Sequence, residues 1–313
     1  MSVAEPRIDV AVVGVGHLGR HHARLWSALP GVRLVAVADL DAERAAAVAA
    51  ACGCEALRHS TELIGRVRAA SIAVPTRHHA EVAIPLLEAG IDVLVEKPLA
   101  ATLDEADAIN AAAARHSRLV MVGHSERFHP AVMALSREVR APRFFEIHRL
   151  AAFSARSTDV DVILDLMIHD LDLLLALDGS APAAIEAVGV QALTDRVDIA
   201  NARIRFASGC VANVTASRIS VEPVRRIRVF QQRTYLSCDT VKRQVERYRV
   251  VGSPAGPRIE RDLLAVAEAE PLGLELAAFL DAVRERRPPP VDGGQGRRAL
   301  ELAFRVGETI AAS

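Results

Sequence analysis

The sequence predicts an α/β chain in two parts: a doubly wound parallel sheet, then an α+β domain with an open, mainly antiparallel sheet. Three observations carry this. Apolar runs alternate with helix-period segments as far as Val122, a glycine-rich turn joins the first such run to the first helix, and after His124 the rhythm changes to short β-rich runs. A length of 313 residues fits two domains, expected over residues 1–124 and 125–313, with the closing helix packing back toward the first.

Ile8–Val13 is apolar except for Asp9, as a strand buried on both faces should be. Leu18, Leu25, Trp26 and Leu29 recur at helical spacing until Pro30-Gly31 stops them. Arg33–Ala38 is the second strand. Asp41 caps a helix over Ala42–Ala51, which Gly53 ends. Ala69–Val74 is a strand, followed by a helix over His79–Ala89 that Pro85 should kink or shorten. Ile91–Val95 is the next strand. Thr102 and Glu105 form a capping box for a helix to about His116, and Leu119–Val122 closes the run. Beyond it come a helix over Pro130–Val139, strand Phe144–Leu150 and a long helix over Val160–Leu177. Strands follow at Ala184–Leu193, Ile199–Phe206, Val211–Ser217, Arg226–Gln231, Tyr235–Asp239 and Gln244–Val250. Gly252–Glu260 reads as a loop. Helices at Leu272–Arg286 and Arg297–Ala311 flank a stiff Arg287-Pro-Pro-Pro290 connector.

The turn Gly14-Val-Gly16-His17-Leu18-Gly19 follows a strand and opens a helix, the context in which such a turn binds a dinucleotide in a Rossmann domain. Gly14 permits the turn, Gly16 lets the backbone approach a pyrophosphate, and Gly19 lets helix and strand pack closely. The helix N-terminus favours the phosphate charge. Asp39, at the end of the second strand, is placed to accept hydrogen bonds from ribose hydroxyls and to repel a 2′-phosphate, so NAD is expected rather than NADP. Arg44 is the counter-argument, expected on a solvated helix face. Pro75, Thr76 and His79 follow the fourth strand and are cofactor-side candidates, although a solvated or capping role is the simpler reading for His79, as for His21, His22 and His78.

Glu96-Lys97-Pro98 ends another strand, at the edge where open parallel sheets bind ligands, so Glu96 and Lys97 are also cofactor-side candidates. Only Lys97 and Lys242 among 38 basic residues are lysine, so Lys97 survives a strong bias toward arginine. A flexible ammonium there can hold a substrate hydroxyl and stabilise an alkoxide. Asp165, His169 and Asp172 recur at i, i+4 and i+7 in an apolar helix. His169 suits a general base, and Asp165 can orient substrate or imidazole. A metal is not expected, because the nearby lysine opposes a cation and no third ligand stands out. Arg225, Arg226 and Arg228 are expected to alternate between strand faces in salt bridges.

The net charge of −1 gives no case for a nucleic-acid or membrane partner. No apolar run reaches the ~18 residues needed to span a bilayer. The N-terminal residues lack the pattern of a secretory signal, and the four cysteines form no zinc set, so a reduced, cytoplasmic protein is expected; Cys52 and Cys54 read as small residues near a helix end rather than a redox pair.

Gly14–Gly19, Asp39, Pro75-Thr76-x-x-His79, Glu96-Lys97-Pro98 and Asp165-x-x-x-His169, in this order, resemble the Gfo/Idh/MocA family of oxidoreductases across essentially the whole chain. The resemblance implies a Rossmann domain, a C-terminal domain with an open sheet, homodimers or homotetramers, and an active site containing Lys97, Asp165 and His169. It also implies a Lys97-Pro98 bond that is often cis, and NAD(P)-dependent oxidation or reduction of sugars, inositols or sugar nucleotides. Gly123–Pro130 with Arg127, Asp165–Asp172, Asn201-Ala-Arg203 and Gly209–Arg218 look like sugar-nucleotide dehydrogenases that form the 3-keto sugar of UDP-N-acetylglucosamine, with Arg127 on the substrate. Rival readings are an inositol or free-sugar dehydrogenase, a redox-neutral lyase or glycosidase using NAD transiently, and a non-catalytic NAD- or sugar-sensing module.

Overall fold

The computed structural model describes residues 7–153, 160–252 and 256–312. The chain divides into two compact units, residues 1–125 with 272–297, and 126–271 with 298–313.

The first unit alternates strand and helix: β1 (Ile8–Val13), α1 (Gly19–Ala28), β2 (Val32–Ala38), α2 (Ala42–Cys52), β3 (Glu55–Leu57), β4 (Ala69–Ile72), α3 (His79–Glu88), β5 (Asp92–Glu96), α4 (Leu103–Arg115) and β6 (Val120–Gly123). The short β3 was not expected. The six strands are parallel, in the order β3-β2-β1-β4-β5-β6. The order reverses between β1 and β4, and the crevice outside the strand C-termini at such a switch point is where open α/β sheets bind ligands. Asp41 caps α2 by accepting from Arg44 N–H, and Gly53 ends it in the left-handed region. Thr102 accepts from Glu105 N–H, but the Glu105 carboxylate takes the Ala101 N–H rather than returning to the cap, so only half of the expected box forms.

The second unit holds α5 (Pro130–Ser136), β7 (Phe144–Leu150), α6 (Ile168–Asp178), β8 (Pro182–Val190), β9 (Ile199–Phe206), β10 (Val211–Ser217), β11 (Val224–Gln231), β12 (Thr234–Asp239), β13 (Gln244–Val251) and β14 (Arg258–Leu263). The sheet runs β14-β13-β12-β11-β7-β10-β9-β8, antiparallel except for the β7–β10 pair. Strand β14 corrects the expected loop over Gly252–Glu260, of which residues 253–255 lie outside the described residues. Its sequence Arg-Ile-Glu-Arg-Asp-Leu carries little apolar signal, because as an edge strand it buries no face. Along β9, buried residues alternate with exposed ones, and the core gathers Ala202, Ile204, Phe145, Ile147, Val214 and Val229 against Leu171, Leu174, Leu302 and Val306.

Two helices follow, α7 (Pro271–Glu285) and α8 (Gly293–Ala311). Helix α7 returns to the first unit, where Phe279 meets Trp26 edge-on at 6.4 Å. Helix α8 starts four residues before the expected Arg297. Gly293 and Gly296 allow the early start: a Cβ at either would fall 1.9 Å from Asn110 Oδ1 or 2.5 Å from Val122 Cγ2.

Candidate active site

In the first unit, the glycine turn has the shape its sequence predicts. Gly14 sits at φ +80°, and a Cβ there would lie 2.8 Å from Val74 N. A Cβ on Gly19 would lie 1.8 Å from Gly14 O, so helix and turn are in direct contact. Gly16 has nothing within 4 Å of its Cβ position, and His17 and Leu18 are exposed. The N-terminus of α1 receives no side-chain cap. The N–H groups of Arg20, His21 and His22 bond the Gly16 and Leu18 carbonyls, so what this end offers a pyrophosphate is the helix's partial positive charge and the open backbone at Gly16.

Asp39 closes β2 beside this turn. Its Oδ2 accepts Val15 N–H at 2.8 Å and its Oδ1 accepts Asp41 N–H at 2.9 Å. The carboxylate is thereby aimed by two main-chain groups. Arg44 is exposed on α2, as expected, and it also pairs with both nearby carboxylates: Nη2 bonds Asp41 at 2.8 Å and Nη1 lies 3.4 Å from Asp39. It offsets part of the charge that would repel a 2′-phosphate.

Lys97, half-buried, follows β5, and its bond to Pro98 is cis. Two histidines expected to be solvated or capping are instead buried around this turn. His22 Nε2 bonds Glu96 Oε1 at 2.9 Å, and Glu96 Oε2 accepts the Lys97 N–H at 3.2 Å. His79 faces main-chain carbonyls on both sides, with Nδ1 3.0 Å from Pro98 O and Nε2 3.0 Å from Val74 O. Its ring is thus committed to backbone, which corrects the view of it as a group presented to the cofactor or to water. Burial holds its pKa below the ordinary histidine value. Glu96 is likewise turned inward. Pro75 is exposed and Thr76 half-buried at the crevice edge after β4.

A sequence signal for His22 existed. Gly19, His22, Ala23 and Trp26 form the buried stripe of α1 at helical spacing, and a polar residue within that stripe needs a partner.

In the second unit, the expected straight helix begins with a π turn over Ile163–Met167, where Ile168 N–H bonds Ile163 O. Asp165 lies in this turn and His169 in the first turn of α6, both half-buried. Single π turns inside helices recur at functional sites. Asp172, the third member of the predicted face, is buried and bidentate with Arg127, at 2.6 Å on both contacts. Arg127 therefore presents its Nε–Nη2 edge to Asp172 rather than to a substrate.

The partner of α6 that sequence reasoning missed is Arg149, buried on β7. Its Nε and Nη2 bond Asp170 at 2.9 and 2.7 Å, and its Nη1 bonds Glu126 at 3.2 Å. Burial resists the guanidinium charge, but the two carboxylates outweigh it and hold Arg149 above its ordinary value. Forks of this kind fix orientation as well as charge, so the residues flanking His169 are locked onto β7 and onto the Ser125–Phe128 turn. Arg225, Arg226 and Arg228 pair with Glu126, Asp239 and Glu146. Among the described residues no group of three His, Cys, Asp or Glu side chains is placed to hold a metal, and no helix is long and apolar enough to cross a membrane.

Comparison with known proteins places these features. Residues 8–124 match the NAD-binding Rossmann-fold model of the Gfo/Idh/MocA oxidoreductase family, and residues 135–252 match the family's C-terminal domain. A UDP-N-acetylglucosamine 3-dehydrogenase from Acidithiobacillus ferrooxidans is 43% identical over 94% of this chain and 95% of its own. A solved structure of the enzyme of that name from this organism superposes with a TM-score of 0.92, at 40% identity over 98% of each chain. An inositol 2-dehydrogenase from Rhizobium meliloti is 26% identical over 97% of each chain. Levoglucosan dehydrogenase, solved with NADH and levoglucosan, shares the fold with a TM-score of 0.88 at 20% identity. The chain belongs to the Gfo/Idh/MocA family of NAD-binding oxidoreductases.

Proposed function

We propose that this enzyme oxidises a secondary hydroxyl of a sugar nucleotide, C3 of UDP-N-acetylglucosamine, using NAD. The observation that carries the reading is a whole-chain likeness to an enzyme of that activity which includes the second unit as well as the dinucleotide-binding one. Inositol dehydrogenases of similar coverage are much less alike.

In this reading the main chain of Gly14–Gly19 and the N-terminus of α1 hold the pyrophosphate, and Asp39 holds the adenosine ribose hydroxyls and disfavours a 2′-phosphate. Pro75 and Thr76 border the nicotinamide side. Bound NAD supplies the hydride acceptor. Lys97 donates a hydrogen bond to the reacting oxygen and stabilises its developing negative charge. His169 takes the hydroxyl proton, and Asp165 orients the sugar ring or the imidazole. The opposite division, with Lys97 as proton acceptor, predicts that Lys97→Ala rather than His169→Ala removes the acidic limb of the pH profile.

The enzyme works in the cytoplasm, in keeping with cysteines that form no disulfide. It acts as a homodimer or homotetramer. The support is an aromatic ladder on the eight-stranded sheet, Phe144–Phe230–Tyr235–Tyr248, with ring centroids 5.6, 4.8 and 5.3 Å apart. Light scattering on the purified protein checks this; a monomer contradicts it.

The test is a panel of UDP-sugars, free sugars and inositols with NAD, followed at the NADH absorbance. NADH accumulation with UDP-N-acetylglucosamine is expected. Accumulation only with an inositol overturns the substrate, and product without net NADH overturns the reaction class in favour of a redox-neutral enzyme.

A further inference from the structure

Lys97 is held from behind by a chain of buried groups that the reaction itself does not use. His22 is completely buried on α1, and Glu96 is buried at the end of β5. The His22 Nε2–H donates to Glu96 Oε1 at 2.9 Å, while Glu96 Oε2 accepts the Lys97 N–H at 3.2 Å. A second proton, on His22 Nδ1, would meet no acceptor among the described residues. The imidazole therefore serves as a one-directional donor to the carboxylate.

Space around Glu96 is fixed as well. A Cβ at Gly123 of β6 would lie 3.1 Å from Glu96 Cα, Cδ and Oε2. A methyl there would crowd the carboxylate, so glycine at this position leaves Glu96 its room. The charged and titratable groups that act on it are His22 from α1, the adjacent Lys97, and His79 from α3. Burial disfavours the Glu96 charge, but the His22 hydrogen bond and the neighbouring Lys97 outweigh it and keep the carboxyl below its ordinary range.

We propose that His22 is a positioning residue for Lys97: its N–H holds the Glu96 carboxylate, which in turn fixes the Lys97 main chain and keeps a negative charge beside the ammonium. The proposal rests on the reading of Lys97 as the group that holds the reacting oxygen. Its consequence is electrostatic as well as steric. With Glu96 ionised, the Lys97 ammonium is stabilised. Without the His22 donor, buried Glu96 takes up a proton, and Lys97 loses its proton more easily.

The scarcity of lysine gives a direct readout that needs neither substrate nor NAD. Lys97 and Lys242 are the two lysines of the chain. Competitive acylation across a pH series, read by mass spectrometry at each, reports the titration of Lys97 against Lys242 as an internal reference. In His22→Leu the Lys97 titration moves down by about one pH unit relative to Lys242, and in His22→Gln, whose amide N–H can replace Nε2–H, it returns most of the way. Turnover of His22→Leu falls about tenfold or more, with KM for NAD little changed. A folded His22→Leu protein with an unmoved Lys97 titration overturns the proposal, as does a fall in turnover that His22→Gln does not reverse. Should His22→Leu fail to fold, Glu96→Gln carries the same test, since it removes the negative charge that the proposal places beside the ammonium; an unmoved titration there is equally contrary. Lys97→Ala separates the two levels. If it turns over like wild type, the reading of Lys97 fails; if it is inactive while the His22 variants are normal, only the positioning role fails.

Discussion

The two units hold their candidate site side chains by different means. In the first, Asp39 and Lys97 stand at strand ends: two main-chain N–H donors aim the Asp39 carboxylate, and the Lys97 N–H is held by the carboxylate of the adjacent Glu96. In the second, Asp165 and His169 ride on a helix fixed by buried guanidinium–carboxylate forks, Arg149 with Asp170 and Arg127 with Asp172. Main-chain aiming comes with the fold. Side-chain forks have to be encoded residue by residue, and each can be broken by one substitution.

The largest effect expected from that contrast is in the second unit. Arg149→Leu leaves Asp170 buried without its cation and Glu126 with only the more distant Arg225, and should cost about 3–5 kcal/mol. Thermal unfolding checks it, with Arg149→Leu/Asp170→Leu recovering much of the loss. If Arg149→Leu melts like wild type, the fork does not secure the helix.

A second buried site tests the same idea through pH. Asp198 accepts the N–H groups of Ala192, Leu193 and Thr194, the Thr194 hydroxyl and Arg218 Nε, at 2.7–2.9 Å. Burial pushes its carboxyl up, but these donors outweigh it and hold it far below the usual carboxylate range. A depressed folded value means that its stability is present above the unfolded carboxylate pKa of about 3.9 and is lost as the pH falls toward the folded one. Asp198→Asn should lose about 2–3 kcal/mol near neutral pH. Urea unfolding should show the gap from wild type constant above about pH 5 and shrinking below about pH 4. A gap independent of pH would contradict it.

In the first unit the expected effects are smaller and fall on ligand choice. Asp39→Ser should raise the ratio of NADP to NAD efficiency by about tenfold or more, roughly 1.4 kcal/mol. Arg44→Ala should move the ratio the other way by less, because it removes only a partial offset to the Asp39 charge. If both variants keep the wild-type ratio, neither side chain reads the ribose. The smallest effect belongs to an exposed pair such as Arg258–Glu260, where Arg258→Ala should change stability by no more than about 0.5 kcal/mol.

The same contrast explains what could be read from sequence. Strand ends, the glycine turn and helix caps are local, so Gly14, Gly19 and Asp41 were legible with their structural roles, and Asp39 with its place after β2. The pairing of Arg149 with Asp170 joins residues 21 apart through a sheet that no local pattern reveals. The apolar helix around His169 showed only that its carboxylates needed partners, and Asp172 found one in Arg127 instead of facing the site. His22 was misread because a histidine pair on a helix looks solvated until the stripe through Gly19, Ala23 and Trp26 is traced. Edge strand β14 stayed hidden for the opposite reason: it buries no apolar face that alternation could mark.

The central claim is that Lys97 acts on the substrate oxygen rather than in binding NAD. Lys97→Arg keeps the charge but replaces a compact ammonium with a wide, planar guanidinium. Measured side by side, NAD affinity by fluorescence titration should stay within about threefold of wild type while turnover on UDP-N-acetylglucosamine falls about a hundredfold. Wild-type turnover, or a loss accounted for by weaker NAD binding alone, would contradict the account.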